Sequence, residues 1–183
     1  MRLFFAITLP SDVQFAISRL RPPDEGRDYR WVHPSLMHLT LAFLGEQPEE
    51  RLEVLQRVGS EVAQASAPGV LRLGTAGGFG ARKVPRVLWV DLDGDLPALL
   101  GLQRNLDTAL RAAGFTLEDR PFRAHITLAR RRESASGGSP TGWPPPVTDA
   151  PAFRLRQLTL MHSRLSPRGA TYTHVFEFPI GSG

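Results

Sequence analysis

Two triplets in this 183-residue chain set an imidazole two positions before a threonine hydroxyl: His38-Leu39-Thr40 and His125-Ile126-Thr127. Both extend to His-x-Thr-Leu-Ala, and they stand 87 positions apart. With five histidines in the chain, chance supplies less than one such triplet. Alternate side chains of a strand share a face, so His38 and Thr40 point one way while Leu39 and Leu41 point the other. The same holds for His125 and Thr127 against Ile126 and Leu128. Imidazole titrates at about 6.5, which lets one copy be neutral and another protonated near neutral pH. Two copies therefore make a base and an acid without a metal. Added hydroxyls that hold non-bridging oxygens suit an in-line displacement at phosphorus, and threonine brings its donor on a stiff, β-branched stem. Two buried strands whose histidines merely satisfy backbone groups are the plainer reading, but that reading leaves the repetition unexplained.

The surrounding sequence supplies elements that can position these groups. Residues 2–9 form a short apolar run that reads as a buried strand. Ser11 and Gln14 have capping-box spacing and open a helix with Val13, Ala16, Ile17 and Leu20 on its apolar face. Pro22, Pro23 and Gly26 break it, and residues 31–45 read as a loop entering a strand at 36–44. Glu49 and Glu50 open a second helix, along which Leu52, Leu55, Val58, Val62 and Ala65 recur at helical spacing. Strand-like runs at 70–74 and 86–93 are separated by Gly74–Gly80, which has neither the Gly-Lys-Ser/Thr of a phosphate loop nor GxGxxG order and reads as a flexible connection. A third helix carries Leu96, Leu99, Leu100, Gln103, Leu106, Leu110 and Ala113, and stops at Gly114. A strand at 123–130, a Ser/Gly/Pro-rich surface loop at 133–151 and strands at 153–161 and 173–180 complete a mixed α/β order.

Composition narrows the function classes. The chain is 42% hydrophobic and 22% charged, which supports a buried core and argues against disorder. It has no cysteine, which excludes disulfides, thiolate metal sites and a cysteine nucleophile. Neither HExxH nor G-x-S-x-G occurs, which weakens the zinc-protease and serine-hydrolase readings. The apolar run at 3–9 is too short to span a bilayer and lacks a cleavage pattern, so a cytoplasmic protein with no membrane segment is expected. Twenty-one arginines stand against one lysine, Lys83, with net charge +4. Guanidinium forks match phosphate oxygens, so this balance favours an anionic partner such as nucleic acid.

The paired motifs, together with MRLFFAITLP, RWVHPSLMHLTLAFLGE, PRVLWV and EDRPFRAHITLARRR, resemble the two-histidine (2H) phosphoesterase superfamily. Within it they look like the RNA 2′,3′-cyclic phosphodiesterase family, also named 2′-5′ RNA ligases, over nearly the whole chain. The resemblance implies an α/β (α+β) bilobal fold: two pseudo-symmetric, mainly antiparallel sheets with helices outside and a central cleft. Residues 1–183 would be a single bilobal domain with interleaved lobes, each carrying one motif, at 38–41 and 125–128. The implied activity is hydrolysis of an RNA-terminal 2′,3′-cyclic phosphate to a 2′-phosphate, with reversible 2′-5′ ligation, by metal-free two-histidine catalysis and with no cofactor. His38 and His125 are then the acid/base pair, and Thr40 and Thr127 hold the phosphate. Arg130, five positions after His125, stands where a basic residue is usual in the family, while Ala42 stands where members often carry lysine. His125 is read as the base on water and His38 as the acid to the departing 3′ oxygen. The expected partner is RNA with a 2′,3′-cyclic phosphate end, tRNA halves included, acted on by a monomer.

Other residues have readings of their own. Arg120, Arg123, Arg130, Arg131 and Arg132 cluster around the second motif, where they can track an RNA backbone or form a solvated face. Phe43, Phe122 and Trp143 are candidates to stack a base, with core packing the stronger reading for Phe43 and loop anchoring for Trp143. His162 and Ser163 are candidates to border the cleft. Two other function classes stay open: a catalytically silent RNA-binding module of the same fold, and a metal-dependent phosphodiesterase.

Overall fold

The apolar periodicities resolve into strands and helices in the order β1 (Arg2–Thr8), α1 (Ser11–Ser18), β2 (Tyr29–Trp31), a 3-10 turn (Pro34–Leu36) and β3 (His38–Glu46). A second turn (Glu49–Arg51) runs into α2 (Leu52–Gln64), followed by β4 (Gly69–Ala81), β5 (Val84–Gly94) and α3 (Leu96–Ala112). The chain closes with β6 (His125–Arg131), β7 (Phe153–Leu155), β8 (Gln157–Ser166) and β9 (Gly169–Pro179). This computed structural model describes residues 1–22, 27–81, 83–166 and 169–181; Pro23 and Gly26 of the expected helix break lie outside them.

The strands join in the order β7-β4-β5-β6-β3-β1-β8-β9, with β2 also paired to β6. Each described pairing is antiparallel. The two expected sheets are thus two halves of one, joined where Leu39 of β3 pairs with Ile126 of β6. One face of the sheet carries the core. Leu39, Leu41, Ile126 and Leu128 are buried there with Val13 and Ile17 of α1, Leu55, Val58 and Val62 of α2, and Leu99, Leu102, Leu106 and Leu110 of α3. That burial covers the apolar side of both motifs and leaves their imidazoles and hydroxyls on the opposite, helix-free face.

Several local expectations need correction. Ser11 does not cap α1: Pro10 is the capping position with no side-chain hydrogen bond, and Gln14 Nε2 instead donates to the Leu9 carbonyl at 2.8 Å. The Gly-rich stretch is no flexible connection but the second half of β4, hairpinned onto β5. Its glycines are needed for close approach: a Cβ on Gly77 would come within 2.5 Å of the Trp89 ring. In α3 the buried row uses Leu102, while Leu100 is exposed. Gly114 does end α3, with φ +77° and the Phe115 amide returning to the Leu110 carbonyl at 3.0 Å.

Candidate active site

The register of β3 and β6 explains which side chains share the helix-free face. Against β1, Thr40 pairs with Ala6 and Ala42 with Phe5, so Leu41 is an extra, bulged residue. Against β5, Thr127 pairs with Trp89 and Ala129 with Leu88, so Leu128 is the extra residue there. Each bulge falls three positions after its histidine. A bulge turns alternation by one residue, and directly opposed residues share a face. Phe43, opposite Phe4, and Arg130, opposite Val87, therefore lie on the same face as the motif side chains. Simple alternation would have sent both to the other side.

Counting outward from Leu39 and Ile126 along the antiparallel pair sets His38 across from Thr127, and Thr40 across from His125. All four are half-buried. Both imidazoles are tied the same way: His38 Nδ1 lies 2.8 Å from the Leu36 carbonyl oxygen, and His125 Nδ1 lies 2.7 Å from that of Arg123. A carbonyl only accepts, so each Nδ1–H donates, and each neutral ring presents an unprotonated Nε2. Burial is the main cause that pushes both histidines below the ordinary imidazole value, opposed by the carbonyl bonds. The positive charge of Arg130 lowers both, and Arg123 and Arg120 also act on His125. Arg130 is thus within electrostatic reach of both imidazoles.

Aromatic rings hold each imidazole. Phe4 and Tyr172 flank His38 with ring centroids at 4.8 and 5.0 Å, and Phe79 meets His125 edge-on at 4.9 Å. Arg123 lies over Phe79 and Trp89, at 5.1 and 5.5 Å. Of these walls only Arg123 stands out in the sequence, because the others come from β1, β4, β5 and β9 and meet the motifs only through sheet register. Asp91, directly opposite His125, is not its partner: both carboxylate oxygens accept from Thr75, one from the amide and one from the hydroxyl. Among the described residues no group of three or more His, Asp or Glu stands ready to hold a metal ion.

A pocket of about 290 Å³ adjoins His38, lined by Tyr172, His174 and Met161 on one wall and Gln14, Ser35 and Leu36 on another. The remaining expectations divide. Phe43 is 39% exposed, with the Arg2 guanidinium 4.9 Å from its ring centroid, so it is not core. Trp143 is an anchor: its Nε1–H donates to the Gly77 carbonyl at 3.2 Å and its ring packs with Trp31, Leu88 and Ala129. Phe122 packs against the main core. His162 pairs with Leu3 and turns to the other face, whereas Ser163 pairs with Arg2 and shares the motif face. Arg131 is drawn to the loop carbonyl of Ala135 and pairs with Tyr29, and Arg120 to Glu118, so the arginines do not act as one cluster.

With this geometry in view, the chain can be set beside known proteins. The LigT-like phosphoesterase family model matches twice, at residues 7–89 and 90–172, one motif in each match. An RNA 2′,3′-cyclic phosphodiesterase of Thermus thermophilus is 35% identical over 98% of this chain and 90% of its own length. One of Escherichia coli is also 35% identical, over 81% of this chain and 83% of its own. A crystal structure of a Thermus thermophilus protein superposes with TM-score 0.81 at 33% identity, covering 99% of this chain and 98% of that one. That of Escherichia coli LigT complexed with 3′-AMP gives 0.74 at 28%, covering 98% and 97%. A double match to the family model, full-length relatives and a shared fold all point the same way: the chain belongs to the LigT-like phosphoesterase family.

Proposed function

We propose that this protein hydrolyses an RNA-terminal 2′,3′-cyclic phosphate to a 2′-phosphate, using His38 and His125 without a metal and with Thr40 and Thr127 holding the phosphate. The observation that carries the reading is the matched pair of imidazoles, each with Nδ1–H bound to the carbonyl two residues upstream and Nε2 left for chemistry. In the hydrolytic step His125 Nε2 takes a proton from water as the water oxygen bonds to phosphorus. The bond from phosphorus to the 3′ oxygen breaks, and protonated His38 gives its Nε2 proton to that oxygen. The two imidazoles end with their protonation exchanged, and solvent resets them. The pocket beside His38 supports this order, since it gives the nucleoside carrying the departing oxygen a place next to the acid. Depressed basicity suits a base that must be neutral; the anionic phosphate supplies the charge that keeps the acid protonated in the complex. Thr40 and Thr127 hydroxyls and the Arg130 guanidinium face the charge that grows on the non-bridging oxygens.

The same step with an RNA 5′ hydroxyl in place of water forms the P–O5′ bond as the P–O3′ bond breaks and so gives 2′-5′ ligation, and tRNA halves are among the RNAs that fit. The relatives named above as RNA 2′,3′-cyclic phosphodiesterases support RNA as substrate. We read the chain as one bilobal domain acting as a cytoplasmic monomer, because the whole candidate site is assembled within one chain. Among the described residues no helix is long and apolar enough to cross a membrane.

The test is a short RNA ending in a 2′,3′-cyclic phosphate, incubated with and without EDTA, with identification of the phosphomonoester formed. A 2′-phosphate formed equally well in EDTA is expected. Abolition by EDTA would move the site to the metal-dependent class, and absence of turnover with retained RNA binding to the silent module. His38→Ala and His125→Ala are each expected to lower kcat by about 10²-fold to 10⁴-fold with little change in affinity.

A further inference from the structure

We infer that Arg30 and Arg130 together form a second phosphate subsite, which takes the phosphodiester joining the terminal nucleotide to the rest of an RNA chain. The inference rests on the cyclic phosphodiesterase reading and deepens it by naming the residues that tell an RNA chain from a mononucleotide. Arg30 of β2 and Arg130 of β6 are direct cross-strand partners. Directly opposed residues share a face, so Arg30 joins Arg130 on the face that carries His125 and Thr127. Both side chains are exposed, and among the described residues neither makes an ion pair with a carboxylate. Like charges facing each other across strands destabilise a sheet, and among the described residues no acidic side chain pairs with either to offset the cost. An anion between the two guanidiniums would offset it, and planar forks bind phosphate oxygens in pairs.

The position along the sheet fits the next phosphate of the same strand. Thr127 lies opposite Trp89 and Arg130 opposite Val87. From Trp89 to Val87 β5 keeps regular register with β4, and two residues at about 3.3 Å each separate the two levels by roughly 7 Å. That matches the step between successive phosphates of a single-stranded nucleic acid. Arg130 is the member of the pair nearer the reacting phosphate, since it lies on the strand that carries His125 and Thr127. Arg30 is one strand further out and is the residue that reads chain length. A cyclic mononucleotide has no phosphodiester to place there.

The experiment compares kcat/KM for a nucleoside 2′,3′-cyclic phosphate and for a four-nucleotide RNA with the same terminal group, in the wild type, Arg30→Gln and Arg30→Lys. The preference for RNA should fall about tenfold in Arg30→Gln and partly recover in Arg30→Lys. The dependence of log kcat/KM on log salt for the RNA should flatten by roughly 0.7 to 1. Melting temperature should hold or rise in Arg30→Gln, since a like-charge pair is removed. Equal losses on both substrates, or no change in the ratio, would overturn the subsite. If the wild type turns over neither substrate, the catalytic reading fails by itself. Anisotropy with RNA ending in a 2′-phosphate then tests the subsite directly, and equal binding by wild type and Arg30→Gln would overturn it.

Discussion

Leu39 and Ile126 face each other as the single ladder pair described between β3 and β6, and both are buried, at 1% and 0% exposure. Each is flanked by the histidine and threonine of its motif, so one apolar contact sets the relation between the two half-sites. Leu39→Ala should cost about 2–5 kcal/mol of stability, as buried leucine truncations do. It should also lower kcat at temperatures where the protein stays folded. Leu106→Ala, in α3 of the same core, should cost similar stability and leave kcat nearly intact. Urea unfolding and steady-state rates on the two variants check this; equal kcat losses would show that the pair has no special role in alignment.

Thr40→Val and Thr127→Val keep the side-chain shape and remove one donor apiece. Each should slow turnover by about 10-fold to 100-fold, less than loss of a histidine, because one hydrogen bond to a charged oxygen is removed. KM should change little. Unchanged kcat in both variants would show that the hydroxyls do not meet the phosphate.

The electrostatics give a pH profile. Both imidazoles titrate below the ordinary 6.5 or so. The free-enzyme form with one neutral and one protonated ring is then most populated on the acid side of that value, and kcat/KM should peak there and fall from about pH 6.5 to 8. The kcat profile should lie at higher pH, since the bound phosphate anion raises the acid. Arg130→Gln removes a positive charge that lowers both histidines, so it should shift the kcat/KM maximum to higher pH while lowering its height. A shift to lower pH would contradict the electrostatic role.

The same shift bears on stability. A histidine depressed by folding favours the neutral form, so its contribution is present above the unfolded value of about 6.5 and is lost as pH falls through the folded value. Urea midpoints should therefore fall below about pH 6.5 more steeply in the wild type than in a His38→Gln, His125→Gln double variant. Parallel curves would show that burial of these rings is not felt by the fold.

Gly77 runs beneath the Trp89 ring, which stands next to Thr127 and carries Arg123 on its other contacts. Gly77→Ala should lower stability by about 1–3 kcal/mol through overpacking and shift the Trp89 fluorescence. Wild-type spectra with full stability would mean the ring moves aside without cost.

Much of this site is legible in a single sequence. The echo of His38-x-Thr40 in His125-x-Thr127 fixes four groups and, by strand alternation, their common face. The α3 periodicity ending at Gly114 is legible for the same reason: the signal is local. What escapes depends on pairing between distant segments. Alternation alone cannot reveal that Leu41 and Leu128 are bulged, because the bulges are defined only against β1 and β5. Alternation alone therefore sends both Phe43 and Arg130 to the core face, whereas the register sets them on the face of the motif side chains. The Gly-rich run reads as a loop by composition; only the Trp89 ring across the hairpin shows why a strand needs glycine there. The three-residue β2, which brings Arg30 beside Arg130, is too short to leave a periodicity.

The two bulges, finally, give the site a direction. The central cradle repeats itself, an imidazole and a hydroxyl from each half, and by itself would accept a phosphodiester in either orientation. The residue each bulge brings round is different: an aromatic ring with a cation over it after one motif, a bare guanidinium after the other. A chain threaded one way meets a stacking surface first and a charge last; threaded the other way it meets the reverse. If RNA binds here as proposed, the unequal flanks rather than the repeated centre set which way the strand runs.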